Sequence, residues 1–334
     1  MIMQRTIIAA AALLLMQIAL AVALNMTGSQ SREVSPATPL FGFAPDAATA
    51  LEIEGPSGEQ LTIRKSDAGW TLPDAFDAPA SGDQVNSLLA KLADLKQGLA
   101  VATSEEAAKR FKVTETGFER HVVVKKGEEV VADFYVGTSP GFRQVHARKA
   151  GAQEIVTVAL NTFDLETAAD KWLDKNLFRL KQEEMETLAF ADFTLQKKDQ
   201  NWQLADLEEG KETAKEAVDD LVNTVSGLTI QDVMKPQEAA ALFAGEPALS
   251  FTVNLKGGTR LEYRFAKPEA DYFVVKRSDR ELYGKVHTIQ VENLRKFTKE
   301  KLIKQEETLP AGEGGQVEET EETAKPTEAN PVQQ

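Results

Sequence analysis

Two short stretches, one in each half of the chain, decide its fold: Asp67-Ala68-Gly69-Trp70-Thr71-Leu72 and Asp199-Gln200-Asn201-Trp202-Gln203-Leu204. Each follows a run of alternating apolar and polar residues, at 61–65 and at 193–197, which is typical of a β-strand. Gly and Asn accept the positive φ angles that a tight turn requires. Each stretch therefore predicts a β-hairpin with a Trp on its second strand.

An amphipathic helix is predicted after each hairpin. The apolar residues follow the spacing i, i+3, i+4, i+7 and i+10 in both halves, which gives each helix one apolar face. They are Val85, Leu88, Leu89, Leu92 and Leu95 in the first half, and Val218, Leu221, Val222, Val225 and Leu228 in the second. Each helix must bury that face, and the hairpin beside it offers the surface.

The correspondence between the halves continues beyond these helices. A short second helix is predicted to end at Phe111 in the first half and at Phe243 in the second, and 41 residues separate each Phe from the hairpin Trp before it. Thr103 and Glu106 have the spacing of a capping box for the first of these short helices. Further elements are predicted as strands at 121–127, 130–136, 144–148, 251–257, 260–265 and 272–276, and as closing helices at 163–177 and 289–302.

Because strands and helices are segregated rather than alternating, the predicted fold class is α+β. It consists of two tandem related repeats, each with antiparallel strands and segregated helices, behind an N-terminal single transmembrane helix. The predicted divisions are a transmembrane signal-anchor at 1–24, a linker at 25–49, a first α+β repeat at 50–182, a second at 183–304 and a disordered acidic tail at 305–334.

The N-terminal segment predicts a single-pass protein of the bacterial inner membrane. Arg5 precedes an apolar run at residues 7–24 that only Gln17 interrupts. Eighteen helical residues extend roughly 27 Å, close to the hydrocarbon thickness of about 30 Å. The positive charge before the run predicts that the bulk of the chain lies in the periplasm. Cleavage after the small residues at 21–23 is the alternative, and it would release a soluble protein.

Composition excludes several classes of protein. A formal net charge of −14 argues against nucleic acid, whose phosphates require a basic surface. Half of that charge lies in residues 305–334, which hold eight Glu and one Lys. The chain has no cysteine, so disulfides, thiolate metal sites and cysteine nucleophiles are excluded.

Three motifs resemble a bacterial family known only as domain of unknown function 4340. They are the Gly69-Trp70-x-Leu72 hairpin, the stretch Arg110-Phe111-Lys112-Val113, and the run from Val136 through Pro140 and Gly141 to Arg148. The second is similar to the family's Arg-Phe-Gly-Leu, with Lys112 in place of the glycine. The resemblance covers about residues 51–180 and extends more weakly over the second copy. It implies an envelope protein that accompanies an ABC-type export system of the gliding-motility kind, and it supplies no catalytic residue.

No motif for catalysis, cofactor binding or metal binding is present in the sequence. The histidines His121, His146 and His287 lack metal-ligand spacing and are predicted to be half-exposed strand residues. Nucleophile-elbow and phosphate-loop motifs are missing as well. Trp70 and Trp202 share one repeat position, so both are predicted to be core residues. No enzyme, cofactor or metal site is predicted.

The residues proposed for partner binding are Pro140, Gly141, Arg143, Arg148 and Lys149. Pro140-Gly141 has the composition of a type II turn, and the three cations beside it would suit an acidic partner. A solvated strand edge is the alternative interpretation.

The predicted function is that of a periplasmic accessory or scaffold protein, with the membrane subunits of an ABC exporter as its partner. The alternative is an envelope hydrolase that uses carboxylates in a cleft between the repeats. A deep pocket with converging carboxylates would favour the hydrolase, and a flat apolar patch would favour the scaffold.

Overall fold

The computed structural model describes residues 16–17 and 38–304. The predicted anchor at 1–24, apart from residues 16–17, lies outside the described residues, as do the linker up to residue 37 and the tail after residue 304. Within the described ranges, no helix combines the length and the apolarity that crossing a membrane requires.

Two eight-stranded sheets form the framework of the described chain, and all neighbouring strands in them are antiparallel. In spatial order the first sheet contains β10 (Ile155–Val158), β9 (Val145–Lys149), β8 (Glu129–Val136), β7 (Arg120–Lys126), β1 (Ala50–Glu54), β2 (Gln60–Ser66), β3 (Gly69–Leu72) and β4 (Ala78–Pro79). The second contains β13 (Asn201–Leu204), β12 (Thr194–Lys198), β11 (Met185–Ala189), β15 (Leu249–Leu255), β16 (Arg260–Ala266), β17 (Tyr272–Arg277), β18 (Tyr283–His287) and β14 (Asp232–Met234).

The helices are few. They are α1 (Gly82–Ala93), α2 (Glu105–Phe111), α3 (Lys215–Ser226), α4 (Pro236–Leu242) and α5 (Thr288–Arg295), and a small hairpin joins β5 (Val113–Thr114) to β6 (Gly117–Phe118). Short 3-10 turns lie at Pro45–Ala47, Pro73–Ala75, Thr162–Asp164, Ala169–Lys171, Gln182–Glu184 and Lys299–Leu302. The prediction of an α+β protein with antiparallel sheets is confirmed.

The two sheets have the same strand order over seven strands. The order β3-β2-β1-β7-β8-β9-β10 in the first sheet corresponds to β13-β12-β11-β15-β16-β17-β18 in the second. The sheets differ at their ends, where β4 lies beside β3 in the first and β14 lies beside β18 in the second. We refer to residues 38–174 as the first half and to residues 175–304 as the second half.

The apolar stripes of α1 and α3 are buried as predicted. Val85 and Leu89 in α1 and Val218 and Leu221 in α3 are inaccessible to solvent, and they belong to one apolar core that runs through both halves. The short helices α2 and α4 instead lie on the opposite faces of their sheets, where each forms a small separate cluster. Side chains alternate between the two faces of a strand. Tyr135 on β8 therefore belongs to the α2 cluster, whereas Phe134 beside it points into the main core.

The predicted closing helices are shorter than the sequence indicates. The stretch 163–177 contains two 3-10 turns and no α-helix, and only the first part of 289–302 is α-helical. Leu165, Trp172 and Leu173 are all buried, but in short turns rather than in one helix. Backbone groups of this segment are instead bonded to distant residues: the Ser81 amide donates to the Trp172 carbonyl oxygen at 2.7 Å, and the Asp174 amide donates to the Pro79 carbonyl oxygen at 2.9 Å.

Part of the predicted linker is packed into the core. Leu40 and Phe41 are buried, and the Phe41 ring centroid lies 4.8 Å from that of Phe134. The linker was predicted from the overall composition of residues 25–49, which this one pair of apolar residues hardly changes. The folded first half therefore extends upstream of residue 50.

The two hairpin tryptophans both pack against the main core, as predicted, but they are buried to different extents. Trp70 is buried, and its indole Nε1 donates a hydrogen bond of 2.9 Å to Asn86 Oδ1 on α1. Trp202 is only half-buried. The reason is the sheet edge: β4 covers β3, whereas β13 is itself the last strand of its sheet.

Replacing Trp70 by Ala is expected to lower the free energy of unfolding by about 3–5 kcal/mol, because it empties a buried aromatic site. The same change at the half-buried Trp202 is expected to cost only about 1–2 kcal/mol, since less apolar area is returned to water. Urea unfolding of the two variants measures both values. Equal losses would contradict the difference in burial.

A polar network around Phe178 lies within the second half, close to its start. The Tyr263 hydroxyl donates to the Phe178 carbonyl oxygen at 2.9 Å and accepts from Arg277 Nη1 at 3.1 Å. Arg277 also forms a two-pronged ion pair with Asp279, with distances of 2.6 Å from Nε and 3.0 Å from Nη2. Arg277 is buried, and paired hydrogen bonds of this kind are what a buried guanidinium requires.

The charges of this network change the pKa of Asp279. Burial alone raises the pKa of the carboxyl, but the hydrogen bonds and positive charge of Arg277, together with the charge of Arg280, outweigh it and hold the pKa below its ordinary value. A carboxyl with a lowered pKa in the folded state stabilises the fold above its unfolded pKa of about 3.9. That stabilisation is lost as the pH falls through the folded value.

We therefore expect Asp279→Asn to weaken the acid dependence of stability. Between pH 6 and pH 3 the melting temperature of the wild type should fall more steeply than that of the variant, which has no charge to lose. Asp192→Asn, at an exposed position, is the control and should follow the wild type. Parallel curves for all three proteins would contradict this role for Asp279.

Candidate functional site

Two of the three motifs that resemble the family, residues 110–113 and residues 136–148, meet at one place in the first half. The end of α2 lies against the start of the β8–β9 hairpin, where the Thr138 amide donates to the Phe111 carbonyl oxygen at 2.9 Å. A side chain at Gly137 would collide with the same carbonyl oxygen and with that of Lys112. The glycine is therefore required because two backbones approach closely.

Lys112 takes up the conformation that explains the glycine expected in the motif. It follows α2 as its C-terminal cap, with φ of 56° and ψ of 54°, in the left-handed region. Glycine is the usual residue there because it has no Cβ to crowd the following carbonyl oxygen. The cap at the other end of α2 is Ser104, whose Oγ accepts from the Ala107 amide at 3.3 Å, so the predicted capping box at Thr103 is wrong.

Replacing Lys112 by Gly is expected to raise the free energy of unfolding by about 0.5–1 kcal/mol, because it relieves the left-handed strain. The ion pair of Lys112 Nζ with Glu119 Oε1, at 2.5 Å, is exposed and its loss should change little. Lys109→Gly, inside α2, is the matched control and should destabilise by about 1 kcal/mol. Thermal unfolding that ranks the two variants in the opposite order would contradict the assignment.

His146 belongs to this structural junction and not to an exposed strand face. It is buried, contrary to prediction, and its ring stacks on Phe111 with centroids 4.0 Å apart. Its Nδ1 lies 2.8 Å from the Thr138 carbonyl oxygen, which can only accept, so that nitrogen carries the proton. His146 therefore holds the hairpin to the end of α2.

The predicted basic cluster of Arg143, Arg148 and Lys149 does not form one surface. Arg148 and Lys149 are consecutive on β9, so their side chains leave opposite faces of the sheet. Arg148 Nε donates to the Val113 carbonyl oxygen at 2.5 Å, and Lys149 Nζ lies 5.7 Å from the ring centroid of Phe41. Both cations are engaged within the chain, which leaves Arg143 as the exposed one.

The tip of the β8–β9 hairpin, residues 139–144, is exposed and carries an aromatic residue that the sequence-based site did not include. Phe142 is 87% exposed, and the Arg143 guanidinium lies 5.0 Å from its ring centroid. The positive φ of 53° falls on Arg143 and not on Gly141, so the predicted Pro140-Gly141 type II turn is wrong. An aromatic residue directly after a Pro-Gly turn was the signal available in the sequence.

The tip is held from within. Ser139 Oγ lies 2.7 Å from the carbonyl oxygen of Gly141 and 2.7 Å from that of Gln144. The Gln144 amide donates to the Gly141 carbonyl oxygen at 3.3 Å, and the two residues form a bridge. The tip therefore presents Phe142 on an internally bonded turn.

The second half has no such tip at the corresponding hairpin. Residues 267–271 join β16 to β17 and read Lys-Pro-Glu-Ala-Asp. This turn is closed by Lys267 Nζ, which donates to the Ala270 carbonyl oxygen at 2.7 Å. The exposed aromatic residue is thus specific to the first half.

A histidine with two carboxylates lies on the outer face of the first sheet. His121 Nε2 is 2.7 Å from Asp133 Oδ1, and its Nδ1 is 3.7 Å from Glu54 Oε2. The carboxylates face different ring nitrogens, so they do not converge with one nitrogen on a single point. Across residues 38–304, no group of three His, Cys, Asp or Glu side chains is arranged to hold a metal ion.

One cavity at the junction of the halves lacks the carboxylate pair that a hydrolase requires. A cavity of about 210 Å³ lies where Phe76 meets the second half, with Met234 and Tyr272 in its wall. Its one carboxylate is Glu238, whose Oε1 lies 3.4 Å from Lys235 Nζ. This cavity gives the hydrolase alternative no catalytic pair.

The fold and the site define a two-sheet α+β protein that displays one exposed aromatic hairpin tip. Residues 70–247, more than half of the chain, match the sequence profile of a family described as Domain of unknown function (DUF4340), and the chain belongs to that family. The match begins later and ends later than the resemblance at 51–180. No curated protein and no solved structure matches the chain.

Proposed function

We propose that this chain is a non-catalytic accessory protein of the bacterial envelope that docks a partner protein through the hairpin tip at residues 139–144. The observation that carries the proposal is the 87% exposure of Phe142 on an internally bonded turn. A partner that covers this ring would remove its apolar surface from water, which favours association. Arg143 stacks on that ring, and Arg and aromatic residues are the types enriched at the energetic centres of interfaces.

The internal bonding of the tip also supports docking. A turn that is already ordered loses little conformational entropy on binding, so more of the contact energy is available as affinity. The segment below the tip is also already ordered, because His146 stacks on Phe111 and Gly137 allows the backbones of α2 and the hairpin to come into contact. The proposed docking surface keeps Pro140, Gly141 and Arg143 from the residues predicted to bind a partner, and it adds Phe142.

The chain is also proposed to be a tandem of two related units, each built around one of the eight-stranded sheets. The corresponding strand orders and the equal helix stripes support this interpretation. Only the first unit carries the aromatic tip, so the second is proposed to stabilise and position the first.

The membrane is the proposed location of the partner. Residues 7–24 are proposed as a single-pass anchor in the inner membrane, with the folded units in the periplasm. Leu40 and Phe41 belong to the fold, so the proposed linker is reduced to residues 25–37. A flexible coil of thirteen residues would span roughly 20 Å. A tether of that length would keep the folded units close to the membrane, and the membrane subunits of an ABC exporter are the proposed partner.

Replacing Phe142 by Ala is expected to reduce recovery of the exporter's membrane subunits at least about tenfold, as expected for a central aromatic contact. The full chain is co-expressed with those subunits, solubilised in detergent and purified through its own tag. The melting temperature should stay that of the wild type, because an exposed side chain contributes little to the fold.

Phe163→Ala is the matched control, because Phe163 is another aromatic residue with 79% exposure. It should leave recovery unchanged. A second variant exchanges residues 139–143 for the Lys-Pro-Glu-Ala-Asp turn of 267–271, and it should bind no better than Phe142→Ala. Full recovery of the subunits with Phe142→Ala, or equal losses for both Phe variants, would rule out docking at the tip.

A further inference from the structure

Two short segments with the same Leu-Phe pair enter the two halves in the same way. Strap 1 (residues 38–43) contains Leu40-Phe41, and strap 2 (residues 175–180) contains Leu177-Phe178. All four side chains are buried in the main core. Each strap is therefore an integral part of the half that follows it.

The backbone of each strap is held at an equivalent position. The Gln97 amide donates to the Thr38 carbonyl oxygen at 2.8 Å, and the Ile230 amide donates to the Lys175 carbonyl oxygen at 3.1 Å. Gln97 and Ile230 each stand four residues beyond the end of their helix, α1 or α3. The straps thus lie beside the same turn in both halves.

The side chains around each Phe also correspond. Phe134 on β8 pairs in register with Lys149 on β9, and Tyr263 on β16 pairs in register with Arg277 on β17. Lys149 Nζ lies 5.7 Å from the ring centroid of Phe41, and the Arg277 guanidinium lies 5.6 Å from that of Phe178. We name these sites slot 1 (Gln97, Phe134, Lys149) and slot 2 (Ile230, Tyr263, Arg277).

The chemistry of the two slots differs although their geometry corresponds. In slot 2 the Tyr263 hydroxyl donates to the Phe178 carbonyl oxygen, and Asp279 fixes Arg277 in place. In slot 1 the aromatic residue is Phe134, which has no hydroxyl, and the cation is Lys149, which cannot form a two-pronged pair. Strap 1 is therefore held without the side-chain hydrogen bond that holds strap 2.

We propose that slot 1 is a binding site for an extended peptide bearing a Leu-Phe pair, that strap 1 is its resident ligand, and that strap 1 leaves its slot more readily than strap 2 does. The site is distinct from the hairpin tip. Its ligand is recognised by one buried aromatic ring under a cation and by backbone hydrogen bonds. Because strap 1 leads upstream towards the proposed linker and anchor, its release would lengthen the tether of the folded units.

Reciprocal substitutions in the full chain test the comparison of the slots. Hydrogen exchange is measured at the amides of Gln97 and Ile230, and Gln97 is expected to exchange faster in the wild type. Phe134→Tyr introduces the hydroxyl of slot 2 into slot 1 and should slow exchange at Gln97 about three- to tenfold, the effect of one added hydrogen bond. Tyr263→Phe should speed exchange at Ile230 by a similar factor.

Two outcomes would overturn this comparison. Slower exchange at Gln97 than at Ile230 in the wild type would show that strap 1 is the more firmly held. Faster exchange at Gln97 in Phe134→Tyr, with a lower melting temperature, would show that the new hydroxyl finds no partner and that the slots are not equivalent.

A peptide with the sequence of strap 2, Lys-Asn-Leu-Phe-Arg-Leu, tests the binding site in the wild-type chain. An excess of the peptide should occupy slot 1 whenever strap 1 leaves it. Exchange at the Leu40 amide, which donates to the Leu95 carbonyl oxygen at 2.6 Å, should then accelerate in proportion to peptide concentration. The control peptide Lys-Asn-Leu-Ala-Arg-Leu should have no effect, and equal effects of both peptides, or none from either, would overturn the proposal.

Discussion

The burial of Phe178 fixes the start of the second half to its sheet, and the packing of that half depends on this contact. Its ring is inaccessible to solvent, and its carbonyl oxygen accepts from the Tyr263 hydroxyl. At Gly284 a side chain would come within 2.9 Å of that ring, so β18 can approach it only because the position is glycine. A fully buried Phe contributes several kcal/mol through the area it removes from water. The single core that runs through both halves passes through this contact.

A second constraint supports the hairpin that carries the exposed tip. The end of α2 and the start of the hairpin are joined by backbone contact at Gly137 and by the stack of Phe111 on His146. Motif residues that resemble the family therefore mostly build the support, whereas the exposed Phe142 and Arg143 lie beyond it. A binding surface of this kind combines a rigid base with a small contact area, and its specificity resides in the residues of the turn.

The sequence predicted the periodic elements well and the site poorly. The stripes of α1 and α3 were predicted residue by residue, because a helix that buries one face repeats its apolar residues every three to four positions. Arg148 and Lys149 were grouped because they are neighbours in sequence. Alternation along β9 sends them to opposite faces, where each is engaged by a segment far away in the chain. Leu40-Phe41 was assigned to a linker because residues 25–49 are mostly Ser, Thr, Pro, Ala and Gly, and two apolar residues change that composition little.

Local pattern by itself determined the α+β class, the hairpins, the amphipathic helices and the correspondence between the halves. These follow from turn chemistry and from periodicity, which act over a few residues. Tertiary structure alone decided which Trp is buried, because this depends on whether another strand covers the sheet edge. It also decided that Lys149 covers Phe41 and that Phe142 stays exposed. Each of these depends on contacts between segments distant in sequence, and no local pattern records such contacts.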